Sequence, residues 1–374
     1  MIYLVCFALS VFFAYLAKKA QNRINFIVFS ILSIAVTTLL AGLRDITIGI
    51  DTSNYYVNTW SKALILREYS LWEYLQLYIV GSRGRVEVLF ALLVGIVARI
   101  TADYQVFLTL VHLIIVSCVY IGAFRMRKHA EPDFVMLLFY LLYYNYSLNI
   151  SRQYIAMAIV FAAVADIERG KFFRYIVFTL IAFLFHNTGI IGLAPMLVYL
   201  ILYPRNQMKN VTMLRKITAC VIIVGAVFAF VPMVRVLINM GILSRKYLYY
   251  LNSDQTSSYK LVFVFLFTEI IGVAIFWRNF QKYDRIANFF LFCSISFVLL
   301  YELATMIAYG KRVAAYFSLL NIVSLGILEK CPRLAGNKII VRTGIVVVLL
   351  IYWIYVFFLR NASETVPYIF CFQF

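Results

Sequence analysis

Long apolar runs alternate with short polar connections along the whole chain. The runs lie near residues 2–17, 24–43, 86–101, 104–123, 133–148, 153–167, 174–186, 189–203, 217–238, 260–277, 286–307, 313–328 and 342–359. A helix needs about 20 residues to cross the hydrocarbon core, and these runs cluster at or below that length. The short ones predict tilted, broken or re-entrant helices, because irregular backbone is tolerated at membrane depth only where protein or a water-lined cavity surrounds it. The pattern therefore predicts an all-α, polytopic integral membrane protein with about 12–14 transmembrane or re-entrant helices. A single integral membrane domain over 1–374 is expected, with outward loops near 44–85 and 239–259.

The polar connections orient these runs. Basic loops at Arg125–Lys128, Arg169–Arg174, Arg205–Lys216, Arg278–Arg285 and Lys330–Arg342 alternate with less basic ones, and bases concentrate on the cytoplasmic side. The connections near 145–152, 186–189, 239–259, 308–312 and 360–374 then face outward. Lys18, Lys19 and Arg23 are cytoplasmic by the same rule, which puts Arg44 to Tyr56 outside. Between Tyr56 and Arg125 the parity is off by one: either Ala63 to Val80 crosses as a poor span, or one of the next two runs is re-entrant.

Composition narrows the class. The chain is 64% hydrophobic and 13% charged, with mean hydropathy +0.91. Its net charge of +18 would suggest nucleic acid in a soluble protein. Here the bases sit in loops between spans, as topology signals and contacts for membrane lipids, and no nucleic-acid-binding motif accompanies them. The six cysteines are scattered without a CxxC pair, so neither a metal centre nor a disulfide framework is indicated. The N-terminal apolar run precedes its bases, the reverse of a cleaved signal, and reads as the first span.

The chemistry-bearing residues gather on the outward connections. Charges at the mouth of a span are costly to keep partly desolvated, and Gly42 to Tyr56 presents Arg44, Asp45, Asp51 and two tyrosines there. Arginines at such positions hold a diphosphate bidentately; Arg44, Arg152, Arg245 and Arg312 are candidates, against simple snorkelling to lipid phosphate. Asp51 reads equally as a general base or as a helix cap, and Asp45 as a local partner of Arg44. His186 offers proton transfer or a hydrogen bond, against the blander satisfied core histidine. Glu87 opens a helix, where the dipole favours an acid. Glu269 and Glu302 lie within apolar spans, with pairing to an arginine as the leading reading, a proton relay or a protonated, hydrogen-bonded acid as the others.

Taken in order, Arg44 with Gly49-Ile-Asp51 and Tyr55, Glu87, Asn149-Ile-Ser-Arg152-Gln153 with Ala156, Phe185-His186-Asn-Thr188, and Arg312-Val-Ala-Ala-Tyr-Phe317 resemble the Wzy-type polysaccharide polymerases of the EpsG-like branch. Thr188 stands where that family commonly has a serine, which keeps the hydroxyl. The resemblance covers about residues 40 to 320. It implies a bacterial inner-membrane enzyme that moves a growing glycan from undecaprenyl diphosphate onto a hydroxyl of the next lipid-linked repeat unit, usually with a separate chain-length regulator. Metal and cofactor are not expected. Carried onto this chain, Asp51 is the preferred base and His186 the alternative. Arg152 and Arg312 meet the diphosphate, Arg44 supports the opening loop, and Tyr55, Glu87 and Gln153 join the substrate-binding set. To that set the outward loop 239–259 adds Arg245 as a cation and Tyr250 as an aromatic. The rival readings are an O-antigen ligase-like enzyme, whose long histidine-bearing periplasmic loop is missing at 239–259, and a repeat-unit flippase, for which Glu269 and Glu302 are the only hints.

Overall fold

A computed structural model describes residues 1–81, 86–204, 213–241, 269, 271–275, 278–279, 286–303, 310–332 and 335–372. The side chains of Asn54, Tyr55, Glu302 and Arg312, and residues 242–268 with Arg245 and Tyr250, lie outside that description. Every regular element among the described residues is helical, and the one β-bridge joins Arg44 to Phe370. Helices Ile2–Lys19, Arg23–Gly42, Tyr104–Arg125 and Gly336–Leu359 are long and apolar enough to cross a membrane. This is an all-α polytopic membrane protein.

The described residues form two compact units. The first comprises Met1–Asp166, Phe173–Ile190 and Val346–Phe374; the second comprises Ile167–Phe172 and Ile191–Ile345. In the first, α1 (Ile2–Lys19) and α2 (Arg23–Gly42) form an antiparallel pair. Small hydroxylated residues let them approach: Ser10 Oγ donates to Ser33 O (2.6 Å) and Ser33 Oγ to Ser10 O (2.8 Å). Tyr140 Oη joins them, 2.6 Å from Ser10 Oγ. Tyr140 belongs to a π-helical turn (Tyr140–Tyr144) that links α7 (Pro132–Phe139) to α8 (Asn145–Asn149). That turn widens what the apolar run 133–148 predicts as one plain helix.

Three short helices follow the opening loop: α3 (Val57–Ile65), α4 (Leu71–Gly81) and α5 (Val88–Ile100). At 1.5 Å per residue, the 13 residues of α5 reach only about 20 Å, short of the ~30 Å core. Glu87, just before α5, contacts Arg152, and Tyr104, just after it at the start of α6 (Tyr104–Arg125), packs on Trp60 and lies in the field of Arg44. The residues that flank α5 thus meet the end of the bundle that holds Arg44, which matches the re-entrant one of the two ways to settle the parity. α6 then returns antiparallel to α2, with Tyr120 Oη donating to Ser30 Oγ (2.7 Å) and Phe124 against Phe26.

α9 (Ser151–Glu168) and the shorter α10 (Phe172–Phe185) complete the helices of this unit that carry site residues. At the opposite end of the unit lie the predicted basic loops. There Arg125 pairs with the buried Asp166, Arg174 Nε stands 3.5 Å from the same carboxylate, and Lys18 Nζ is 2.5 Å from Asp133.

The second unit contains α11 (Leu193–Leu202), α12 (Met213–Asn239), α13 (Ala287–Leu303), α14 (Gly310–Lys330) and the first part of α15 (Ala335–Trp353), with α13 packed along α14. Glu269 is buried there and accepts from Ser294 Oγ and from Asn321 Nδ2 (2.8 Å). The expected arginine partner is not found among the described residues. Hydroxyl and amide donors supply the stabilisation that an ion pair was predicted to give.

Candidate functional site

The site grows from two turns that hold each other. Gly49 adopts φ +90°, and a Cβ there would stand 3.3 Å from Leu148 O. Only glycine accepts that backbone freely while letting the α8 end come so near. Two residues on, the Asp51 N–H donates to Asn149 Oδ1 (2.7 Å). A π-helical turn, Thr52–Tyr56, begins directly after Asp51, whose carboxylate makes no capping hydrogen bond to it. The helix-cap reading of Asp51 therefore fails here; Asn149 holds its backbone, and its side chain is half-buried.

Arg44 lies beneath this junction, fully buried. Its Nη1 donates to Ala41 O (2.6 Å), and its Nη2 to Leu148 O (3.2 Å) and Thr52 Oγ1 (3.4 Å). Ala41 and Leu148 lie in the last turns of α2 and α8. One guanidinium thus serves the carbonyls of two helix C-termini, where unsatisfied C=O groups and the helix dipole both favour a cation. Asp45 is not its partner: that carboxylate accepts from its own turn, from Thr47 N–H (2.9 Å) and Thr47 Oγ1 (2.7 Å). Burial draws the Arg44 pKa down, but the surrounding tyrosine phenols Tyr104, Tyr144, Tyr3 and Tyr56 oppose that. A fully enclosed Arg44 supports the loop; in this conformation it does not reach a ligand.

Arg152 differs. It opens α9 with a side chain 18% exposed, and its Nη1 donates to Glu87 Oε2 (2.7 Å). Its guanidinium also lies 5.5 Å from the centre of the Phe90 ring. The other oxygen of Glu87, Oε1, accepts from the Asn187 N–H (3.2 Å). One carboxylate therefore couples the start of α9 to the turn after α10. The Arg152 N–H donates to the Tyr56 phenol oxygen (3.2 Å). Burial pushes that phenol up to about 12, with Arg152 lowering and Asp51 raising it. Tyr56 thus stands in the fields of both groups.

His186 sits at the end of α10, 8% exposed. Its Nδ1 accepts from Thr188 N–H (3.3 Å) and lies 2.6 Å from Thr188 Oγ1. Thr188 thus holds the imidazole through Nδ1, which fixes the ring for proton transfer or hydrogen bonding at Nε2. Gln153 is buried within α9.

The structure thus brings Arg44, Asp51, Glu87, Arg152 and His186 to one end of the first unit. Tyr55, Arg245, Tyr250 and Arg312 cannot be placed in it, since their side chains lie outside the described residues. Two residues join the site that the sequence pattern does not single out for it, Tyr56 through its phenol and Asn149 through its side-chain amide. For Asn149 the available signal was its spacing, three residues before Arg152.

A family model described as the EpsG family matches residues 24–370. The chain belongs to the EpsG family. Curated proteins and solved structures return no match. Membership gives this EpsG-family chain a polysaccharide polymerase-like role, of glycosyltransferase type, in polysaccharide biosynthesis. The matched range contains every site position from Arg44 to Arg312, and the resemblance seen in the motifs is thereby borne out.

Proposed function

We propose that the protein polymerises oligosaccharide repeat units at the outer face of the cytoplasmic membrane. The donor is a glycan on undecaprenyl diphosphate and the acceptor a hydroxyl of the next lipid-linked unit, in O-antigen, capsule or exopolysaccharide synthesis. The observation that carries this reading is the meeting of Asp51, Arg152, Glu87 and His186 at the end of the bundle opposite the paired basic loops.

In the proposed reaction the acceptor oxygen attacks the anomeric carbon of the donor. Its proton passes to the half-buried carboxylate of Asp51, a residue whose backbone N–H is held by Asn149. The bond from that carbon to the diphosphate breaks, and the diphosphate leaves with the electron pair. Arg152 meets the charge that develops there, its guanidinium plane fixed by Glu87. His186 donates through Nε2–H to a sugar or phosphate oxygen. The family resemblance gives Arg312 a diphosphate-binding role, the outward loop 239–259 offers Arg245 as a further candidate, and a chain-length regulator is the expected protein partner. Two lipid anchors confine both substrates to one plane, which supplies much of the encounter and orientation.

The test is the glycan profile of a strain lacking the gene and complemented with variants. Wild type restores a polymer ladder, whereas Asp51→Ala and Arg152→Ala leave a single lipid-linked repeat. A wild-type ladder from Asp51→Ala at normal protein level overturns the assignment. Loss of all attachment indicates a ligase, and cytoplasmic accumulation of the lipid-linked unit a flippase.

A further inference from the structure

The site loop is tied to a segment far from it in sequence. After α15 and a π-helical stretch (Ile354–Leu359) the chain turns back over the opening loop. Cys371 N–H donates to Leu43 O (2.9 Å), Asp45 N–H to Ile369 O (2.9 Å) and Gly49 N–H to Glu364 O (3.0 Å). Side chains add to this ladder. Tyr368 Oη donates to Leu40 O (2.7 Å), Tyr3 Oη to Thr365 O (2.8 Å) and Asn145 Nδ2 to Thr365 Oγ1 (3.0 Å). Asn145 is fixed in turn by Trp353 Nε1, which donates to its Oδ1 (2.9 Å). Thr365 and Asn145 are fully buried.

These contacts converge on two places: the loop from Leu40 to Gly49, and the α8 turn that carries Asn145 and Asn149. Those are the two elements that set Asp51, one through the backbone two residues away and the other through Asn149 Oδ1. Asn361, Ser363 and Glu364 hold φ of 46°, 66° and 50°. Non-glycine residues keep such conformations only when their surroundings over-determine them. Glu364, the last of the three, is the residue whose carbonyl receives Gly49 N–H.

We infer that residues 361–372 form a strap that positions Asp51 for transfer, with Thr365 as its key positioning residue. The inference rests on the polymerase reading above. Displacing the strap shifts the Asp51 loop while leaving the ion pairs at the opposite end untouched.

The experiment uses the full-length protein in liposomes and, as substrate, the single-repeat glycolipid that accumulates in the deletion strain. Thr365→Val keeps the shape and removes the hydroxyl that Asn145 holds. Turnover per folded molecule should fall about tenfold with KM within about twofold, since misplacing a reacting group by about 1 Å can cost up to 10²-fold. Thr365→Ser should restore turnover. Because Thr365 and Asn149 both act through Asp51, Thr365→Val combined with Asn149→Ala should lose little more than the worse single change. Tyr368→Phe tests the same strap at its other end and should cost about threefold, a smaller misplacement. Full turnover in Thr365→Val and Tyr368→Phe, a loss that follows only the amount of folded protein, or additive losses would each overturn the strap. Asp51→Ala in the same assay separates the two ideas. If the wild type does not turn the glycolipid over, the polymerase reading falls. If Asp51→Ala remains active, Asp51 as base falls and the strap with it; if Asp51→Ala is dead while Thr365→Val is normal, the strap alone falls.

Discussion

At the basic end of the first unit, Asp166 lies between Arg125 and Arg174, and Asp133 lies against Lys18. At the other end Arg44 is enclosed by carbonyls and tyrosines, with no carboxylate partner among the described residues, and Glu87 divides its two oxygens between Arg152 and a backbone amide. The same residue types serve two purposes. Pairing one buried acid with two cations ends helices and fixes topology. At the Arg44 end the C-termini of α2 and α8 are matched by one arginine, and the other arginine is held by an acid whose second oxygen serves a backbone amide. The difference lies in what each charge is matched with, not in how many charges are present.

Substitutions at the two ends should have different consequences. Asp51→Ala and Arg152→Ala should lower polymer formation by about 10³-fold or more, the size expected for a general base or a preorganised charge. The glycan ladder reads this directly. Arg44→Met should cost about 3 kcal/mol, because it leaves the Ala41 carbonyl buried and unpaired and the Leu148 carbonyl with Thr52 Oγ1 in place of two donors. Thermal denaturation in detergent measures that loss. Asp166→Asn should cost about 2 kcal/mol of stability, reduced from a fully buried pair because its cations are part-exposed, with turnover per folded molecule unchanged. A collapsed ladder from Asp166→Asn at normal protein level would erase the distinction between the ends.

Glu87→Gln keeps the shape and drops the charge, so turnover should fall about tenfold, equivalent to ~1.4 kcal/mol of barrier. Tyr56→Phe should cost about 1 kcal/mol, one buried hydrogen bond. Its pH signature has a definite sign. The folded phenol is raised from 10.0 to about 12, so its stabilising contribution is complete below pH 10 and is lost as pH rises towards 12. Alkaline titration of stability should show a smaller loss in Tyr56→Phe than in the wild type, by the share of that one phenol.

Much of the fold is legible in hydropathy, because a bilayer forces spans into apolar helices. The runs 2–17, 24–43 and 104–123 become α1, α2 and α6 with ends shifted by a few residues. Hydropathy carries no direction, however, and nothing in residues 86–101 says that α5 begins and ends on one side. Only the contacts of Glu87 and Tyr104 say so. In the site, charged residues at span ends are visible, but their partners are not. Asp45 beside Arg44 in sequence suggests a pair, whereas the geometry gives Arg44 two helix ends and Asp45 its own turn. The strap is invisible for a further reason: its ties to residues 43–49 are made by main-chain groups, which every sequence possesses.

The strap also sets a schedule for biogenesis. Tyr368 and the Leu40 carbonyl it holds are 328 residues apart. At about 5–20 residues per second of synthesis, tens of seconds separate the emergence of the two. The Asp51 loop leaves the ribosome early and waits, without its main-chain partners, while the rest of the bundle inserts. Activity on this view switches on late, and a chain interrupted before Thr365 would be present in the membrane yet silent.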